Sequence, residues 1–290
     1  AIELVAVTVT HGNAVHAVTL PNTLKAVSAG NLAHVPVYPG AVVALTEDPK
    51  PSSGLNGRVL DLPEPTVRPQ QQHAVDFLRE YYHGPDGPQT IYVPVGPLTN
   101  LALALRLDPG LARRIPRIVT MGGAYRGGGR NPAAEFNILA DPEGARVVYN
   151  AGIPILMVGL EVTEQALVTP ADVERLKAID TPQARVAAAV MLDEILWMIQ
   201  EYGWDGGQIF DACAVAEIIE PGLVSTTPMW VDIEVNGSLT RGRTVADISG
   251  RTGRTSNVDV GIGIDRARFV EIMIEALSVI RQPTIRPHTA

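Results

Sequence analysis

The chain has 290 residues, 46% hydrophobic and 19% charged, so it carries enough apolar material for a folded core and is not intrinsically disordered. Acidic residues outnumber basic ones by 31 to 23, and the net charge of −8 argues against a nucleic-acid partner. The lone cysteine, Cys213, indicates a reducing, cytoplasmic location, and the sequence contains no apolar run long enough to predict a membrane partner.

In the first half of the chain, short apolar runs alternate with helical patterns. The predicted strands are 2–10, 35–38, 90–95, 118–121 and 153–158, and the predicted helices are 20–29, 74–82, 98–106 and 142–150. This β-α-β-α order predicts an open, mostly parallel twisted sheet with helices on both faces. Residues 46–72 are rich in Pro, Ser and Gly, which indicates a long surface loop that is either functional or disordered.

The second half of the chain adds helices, a hairpin and one more strand. Helices are predicted to follow Thr169-Pro170 and Thr181-Pro182, and the second is predicted to end at Gly203. Residues 229–235 and those from 239 onward predict a small antiparallel hairpin with a tight turn at 236–237. The last elements are a strand at 257–264 and a helix at 266–280 capped by Asp265. We interpret residues 1–290 as one α/β domain.

Ligands of open parallel sheets bind beyond the carboxyl ends of the strands, so the polar residues that follow each strand are candidate site residues. They are His11, Asn13, Thr99, Asn100, Gly122, Gly123, Glu161 and Thr163. Glu135 and Asn137 flank Phe136, and in an extended segment both side chains would point the same way, toward a polyhydroxylated ligand. A helix cap or turn network explains the same pattern equally well.

Asp211 begins a segment of small residues that predicts a helix. It is interpreted either as an N-cap or as a metal ligand presented by a closely packed helix. The glycine-rich loop 122–129 matches no phosphate-binding motif, which argues against a nucleotide-dependent oxidoreductase.

Several separate motifs, in the same order along the whole chain, resemble those of the inosine–uridine-preferring nucleoside hydrolases. They are Thr10-His11-Gly12-Asn13, Val93-Pro94-Val95-Gly96-Pro97-Leu98-Thr99-Asn100, Met121-Gly122-Gly123, Ala134-Glu135-Phe136-Asn137, Asp141-Pro142-Glu143, Asp211-Ala212-Cys213-Ala214 and Thr240-Arg241-Gly242. The resemblance implies an enzyme that uses a calcium ion to split ribonucleosides into ribose and free base. It also implies a homodimer or homotetramer.

The resemblance assigns roles to individual residues. Calcium would be bound by the carbonyl oxygen of Val95 and by the carboxylate of Asp211. The ribose hydroxyls would be bound by Asn13, Glu135 and Asn137. The remaining pocket residues would be Met121, Phe136 and Phe210.

This sequence departs from the family pattern at four places. The family's DxDxxxDD motif, which would supply most metal ligands and the general base, is absent from the sequence, and the chain begins where the family's second strand would. Phe210 stands where the family often has His, and Lys50-Pro51-Ser52-Ser53-Gly54-Leu55 lacks the His of the family's HGxxGL loop. Gly129 replaces an expected asparagine, for which Asn131 is a candidate substitute. A nucleoside or ribose binder without catalytic activity is therefore the alternative to a hydrolase.

Overall fold

The computed structural model describes residues 2–46 and 59–279. Its strands are β1 (Val7–Thr8), β2 (Val37–Tyr38), β3 (Ile118–Met121), β4 (Ile155–Val158), β5 (Val224–Met229), β6 (Val231–Ile233), β7 (Thr244–Ala246) and β8 (Val258–Ile264). Its α-helices are α1 (His16–Ala29), α2 (Ala74–His83), α3 (Thr99–Leu107), α4 (Phe136–Ala140), α5 (Pro142–Tyr149), α6 (Leu160–Thr163), α7 (Pro170–Lys177), α8 (Pro182–Tyr202), α9 (Phe210–Ile219) and α10 (Arg266–Ser278).

The central sheet has the strand order β3-β4-β8-β5, in which β3, β4 and β8 are parallel and the edge strand β5 is antiparallel. The segment 90–95 runs parallel to β3 and is bonded to it through Tyr92 and Pro94, whose carbonyl oxygens accept from the backbones of Val119 and Met121. Strands β1 and β2 form a separate parallel pair.

Alternating side chains of the sheet enter two separate cores, because successive residues of a strand point to opposite faces. In β4, Ile155 and Met157 join the core that contains Leu101 of α3, whereas Leu156 and Val158 join the other core. That second core includes residues of α7 to α10. The predicted α/β class, with helices on both faces of a mostly parallel sheet, is confirmed.

The helix starts that were predicted from capping residues are confirmed. The hydroxyl of Thr169 accepts from the backbone of Asp172 at 3.3 Å, that of Thr181 from Ala184 at 3.1 Å, and the carboxylate of Asp265 from Arg268 at 3.0 Å. Gly203 ends α8 in the left-handed conformation, as predicted. Within the part of the chain that the structure covers, no helix is both long enough and apolar enough to cross a bilayer.

The strand lengths differ from the sequence predictions. The predicted strands 2–10 and 35–38 are each only two residues long in the structure. Pro36 carries no backbone N–H, so the pairing of β1 with β2 cannot extend toward the start of β1. At the other end, the Asn100 side chain donates to the Val9 carbonyl oxygen. The further backbone bonds there are those of Val9 to Tyr38 and of His11 to Ala41, both 2.9 Å. Residues 90–95 form a single bridge at Tyr92, and Pro94 interrupts that segment in the same way.

The predicted tight turn at Asn236-Gly237 was wrong. Strands β6 and β7 pair, but residues 234–243 connect them. The Glu234 carboxylate accepts from the backbones of Asn236 and Gly237, so this segment folds on itself as a loop. Helix α1 begins at His16 rather than at residue 20. Residues 47–58 of the predicted loop, the Lys50–Leu55 motif and residue 280 of the last helix lie outside the described residues.

Candidate active site

Glu135 occupies the centre of the candidate site. It is buried and acts as the N-cap of α4, where its carboxylate accepts from the backbones of Gly123 (2.8 Å), Asn137 (2.8 Å) and Ile138 (3.2 Å). The extended geometry considered for residues 135–137 is therefore wrong, and the helix-cap alternative describes the local structure. Burial raises the pKa of Glu135, and the backbone hydrogen bonds lower it in part.

Asn137 links three of the predicted residues. Its side-chain amide donates to the carbonyl oxygens of Val95 at 3.4 Å and Met121 at 3.2 Å, and lies 3.6 Å from the Met121 sulfur. The backbone N–H of Asn137 donates to the Glu135 carboxylate at the N-cap of the same helix. The structure thus brings Val95, Met121, Glu135 and Asn137 together at the carboxyl ends of β3 and the segment 90–95.

Asp211 faces the same site from α9. The N-cap of α9 is Ile209 and Asp211 lies in the first turn of the helix, so the N-cap alternative for Asp211 was wrong. The residue is exposed to solvent, yet enough protein surrounds its carboxylate to desolvate it, and we infer from this combination that it lies in an open recess. Burial, together with the negative charge of Glu135, raises the pKa of Asp211 to about 7.

The small residues that follow Asp211 explain why it can lie so close to the sheet. Cys213, Ala214 and Ala216 are buried and allow α9 to pack closely against β3. Burial and the neighbouring Asp211 charge raise the pKa of the Cys213 thiol to about 12. Cys213 is therefore a packing residue, since a thiol with so high a pKa is a poor nucleophile.

The remaining predicted residues lie around this centre with fewer constraints. Phe136 is half-buried, and the Arg130 guanidinium lies 5.8 Å from its ring centroid. Phe210 is half-buried against the core that includes α7 to α10. Asn13 is exposed, just after the buried residues His11 and Gly12. The carboxamide oxygen of Asn131 accepts from the backbones at 133 and 134, so it holds the turn before Glu135.

A buried polar chain at the edge of the site was only partly predicted. His11 Nε2 lies 2.9 Å from the Thr99 hydroxyl, which donates to Asp141 at 2.6 Å. His11 and Thr99 were candidates because they follow strands, but the link to Asp141 was not foreseen. The one available signal was Asp141-Pro142, a typical helix start, and Asp141 does cap α5 through Gly144.

The oxygen atoms of the Val95 carbonyl and the Asp211 carboxylate are of the kind that binds a hard cation, but they are fewer than such a cation requires. Asp211 makes no hydrogen bond or ion pair with any described residue, and a carboxylate whose pKa is raised beside a second carboxylate is stabilised by a cation. Calcium takes six to eight oxygen ligands. In residues 2–46 and 59–279, no three His, Cys, Asp or Glu side chains are grouped so that they could hold a metal.

An open parallel sheet with two carboxylates and an amide at its strand ends is typical of an α/β enzyme that acts on a polar small molecule. The model of the family "Inosine-uridine preferring nucleoside hydrolase" matches residues 1–271. The pyrimidine-specific ribonucleoside hydrolase RihA of Shewanella sp. (strain MR-7) is 40% identical over 279 residues, 94% of this chain and 87% of the relative. The RihA of Enterobacter sp. (strain 638) is 39% identical over 96% of this chain and 90% of its own length.

Solved structures share the fold. A purine-preferring ribonucleoside hydrolase from Gardnerella vaginalis superposes with a TM-score of 0.87 at 31% identity, over 95% of this chain and 90% of that one. A plant nucleoside hydrolase, PpNRh1, has the same TM-score at 26% identity, over 96% and 91% of the two chains. The chain belongs to the inosine–uridine preferring nucleoside hydrolase family, and it is therefore a nucleoside hydrolase. Dependence on a metal ion is general in that family.

Proposed function

We propose that the protein hydrolyses the N-glycosidic bond of ribonucleosides and that Asn13, Glu135 and Asn137 bind the ribose. The observation that carries the proposal is the pairing of Glu135, fixed by three backbone N–H groups, with an accessible Asp211 carboxylate whose pKa is raised by burial and by the charge of Glu135. The two carboxylates interact electrostatically, and we propose that a sugar and a cation lie side by side between them.

Glu135 and Asn137 supply what an oxocarbenium-like transition state needs. A carboxylate and an amide can both bond ribose hydroxyls, and their attraction to the sugar grows as positive charge develops on the ring. Because the backbone already holds Glu135, little reorganisation is needed when the substrate binds.

We propose calcium as the metal, with the Val95 carbonyl oxygen and the Asp211 carboxylate among its ligands. A calcium ion would orient the attacking water and make it easier to deprotonate. The other ligands and the general base are not assigned to any described residue.

Phe210 limits how this chain can assist the departing base. A phenyl ring has no proton to donate, so we propose that Phe210 stacks on the base while Met121 and Phe136 shape the pocket. The leaving base would take its proton from another group or from solvent.

For the base, we propose a preference for pyrimidines. The relatives near 40% identity are named pyrimidine-specific, whereas the structural neighbour at 31% identity is named purine-preferring. The experiment that follows also tests a second candidate, a protein that binds nucleosides without hydrolysing them.

Ribose release from uridine, cytidine and inosine in the presence of Ca2+ tests the proposal. We expect release from uridine and cytidine, faster than from inosine, and loss of release in Glu135→Gln. Saturable uridine binding without release would support the binder, and neither binding nor release would exclude both candidates.

A further inference from the structure

Thr99 is the first residue of α3 and joins three segments that are far apart in the sequence. Its hydroxyl donates to Asp141, so the 2.9 Å contact with His11 is one in which Nε2 of the histidine donates. The three residues are 3%, 0% and 0% exposed. A buried polar chain of this kind fixes the positions of its members, because each group left without its partner costs free energy.

Each member of this hydrogen-bonded series, His11, Thr99 and Asp141, lies next to a part of the candidate site. His11 is two residues before Asn13, and its backbone donates to Ala41 at 2.9 Å. Thr99 follows the turn that contains Val95, and Pro97 of that turn packs against Gly12, where an added Cβ would lie 3.0 Å from the proline ring. Asp141 caps α5 immediately after α4, the short helix that Glu135 begins.

The next residue strengthens the same junction. Asn100 donates to the Val9 carbonyl oxygen at 3.0 Å and accepts from the Ala41 backbone at 2.8 Å. It therefore holds the end of β1 against the segment that follows β2. The exposed Asn13 makes no such bond with any residue that the structure describes, so we infer that its placement depends on the turn that His11 and Gly12 form.

We propose that Thr99 is a positioning residue of the hydrolase: through His11 it sets the turn that presents Asn13, and through Asp141 it ties this turn to the helices that carry Glu135. This inference rests on the proposed function in one respect, the binding of ribose by Asn13. Thr99 itself touches neither substrate nor metal.

The test compares Thr99→Val, which keeps the shape and removes the hydroxyl, with Thr99→Ser, which keeps the hydroxyl. Thr181→Val and Thr181→Ser are the matched controls, because Thr181 is also a buried threonine with a hydroxyl hydrogen bond, donated to Leu277 at 2.9 Å. Two quantities are measured on the full chain: amide hydrogen exchange of residues 10–14 without ligand, and KM and kcat for uridine.

We expect Thr99→Val to speed exchange at residues 10–14 and to raise KM about tenfold, the equivalent of about one hydrogen bond, with a smaller change in kcat. Thr99→Ser should restore both quantities, and Thr181→Val should change neither. The inference is overturned if Thr99→Val leaves exchange at residues 10–14 unchanged, or if exchange rises while KM does not. If the parent protein neither binds nor hydrolyses uridine, the proposed function fails, and unchanged exchange in Thr99→Val would still overturn the positioning role separately.

Discussion

The two carboxylates of the recess are held in opposite ways. Glu135 is buried and accepts three backbone hydrogen bonds, so its position is determined by the fold itself. Asp211 reaches solvent, lies in the first turn of α9 rather than at its N-cap, and interacts electrostatically with Glu135. The Glu135 carboxylate is thus stabilised by backbone hydrogen bonds, whereas α9 holds the Asp211 carboxylate where desolvation and a second negative charge disfavour its ionised form.

This difference separates a group that serves both folding and function from one that serves function alone. A carboxylate that is desolvated next to another negative charge destabilises the folded state. Such carboxylates are therefore found mainly at functional sites. We therefore expect substitutions at the two positions to have similar consequences for activity and opposite consequences for stability.

The largest effect is expected for Asp211→Asn, which keeps the size of the side chain and removes its charge. If Asp211 binds the metal, kcat/KM for uridine should fall about a thousandfold or more, since a bound cation supplies several kcal/mol of charge stabilisation. The metal-free variant should be as stable as the parent protein, or more stable, in urea unfolding at pH 8. A clear loss of stability would show that the Asp211 carboxylate supports the fold.

Glu135→Gln should lower both kcat/KM for uridine and the free energy of unfolding. We expect kcat/KM to fall about a hundredfold to a thousandfold, as for other preorganised polar groups. The free energy of unfolding should fall by about 1–3 kcal/mol, because the loss of backbone hydrogen bonds that the glutamine amide group cannot accept outweighs the relief of the desolvation that raises the Glu135 pKa. Urea unfolding at pH 8, with Asp211→Asn measured in parallel, checks the contrast directly.

The pH dependence of stability gives a third test. The pKa of Asp211 in the folded protein is raised to about 7, above the value near 4 of an unfolded aspartic acid. The folded state therefore binds this proton more tightly, and its contribution to stability is complete below about pH 4 and is lost as the pH rises to about 7. In EDTA, this loss should be smaller in Asp211→Asn; identical pH profiles would contradict the assignment.

The smallest effect is expected for Phe210→Leu. The half-buried ring packs against a core that leucine also suits, so stability should change by less than about 1.5 kcal/mol. If Phe210 stacks on the base, KM for uridine should rise by roughly threefold to tenfold, since one aromatic contact contributes about 0.5–1.5 kcal/mol. An unchanged KM would remove Phe210 from the base-binding residues.

The sequence predicted those features that depend on local chemistry. Thr169 and Thr181 start helices because a hydroxyl and a following proline suffice to begin one, whatever the rest of the fold does. The alternation of β3 and β4 with helices was equally visible, because their buried residues are continuous.

Features that depend on pairing across the chain could not be predicted in the same way. The pairing of β1 with β2 is short because Pro36 has no backbone N–H to donate and because Asn100, which is distant in sequence, bonds the Val9 carbonyl oxygen. The connection 234–243 replaces a two-residue turn because Glu234 binds the backbone groups at 236 and 237. The meeting of Glu135 with Asp211 was suggested by resemblance, but the raised pKa of Asp211 could not be predicted, because it depends on burial in the fold and, to a smaller extent, on the nearby charge of Glu135.

Calorimetric titration of the metal-free protein with Ca2+ tests most directly whether Asp211 is there to bind a cation. The parent protein and Glu135→Gln should both bind Ca2+, whereas Asp211→Asn should bind it at least about tenfold more weakly, as expected for loss of a charged ligand. Equal affinity in the parent protein and in Asp211→Asn would contradict the assignment of the recess as a metal and sugar site.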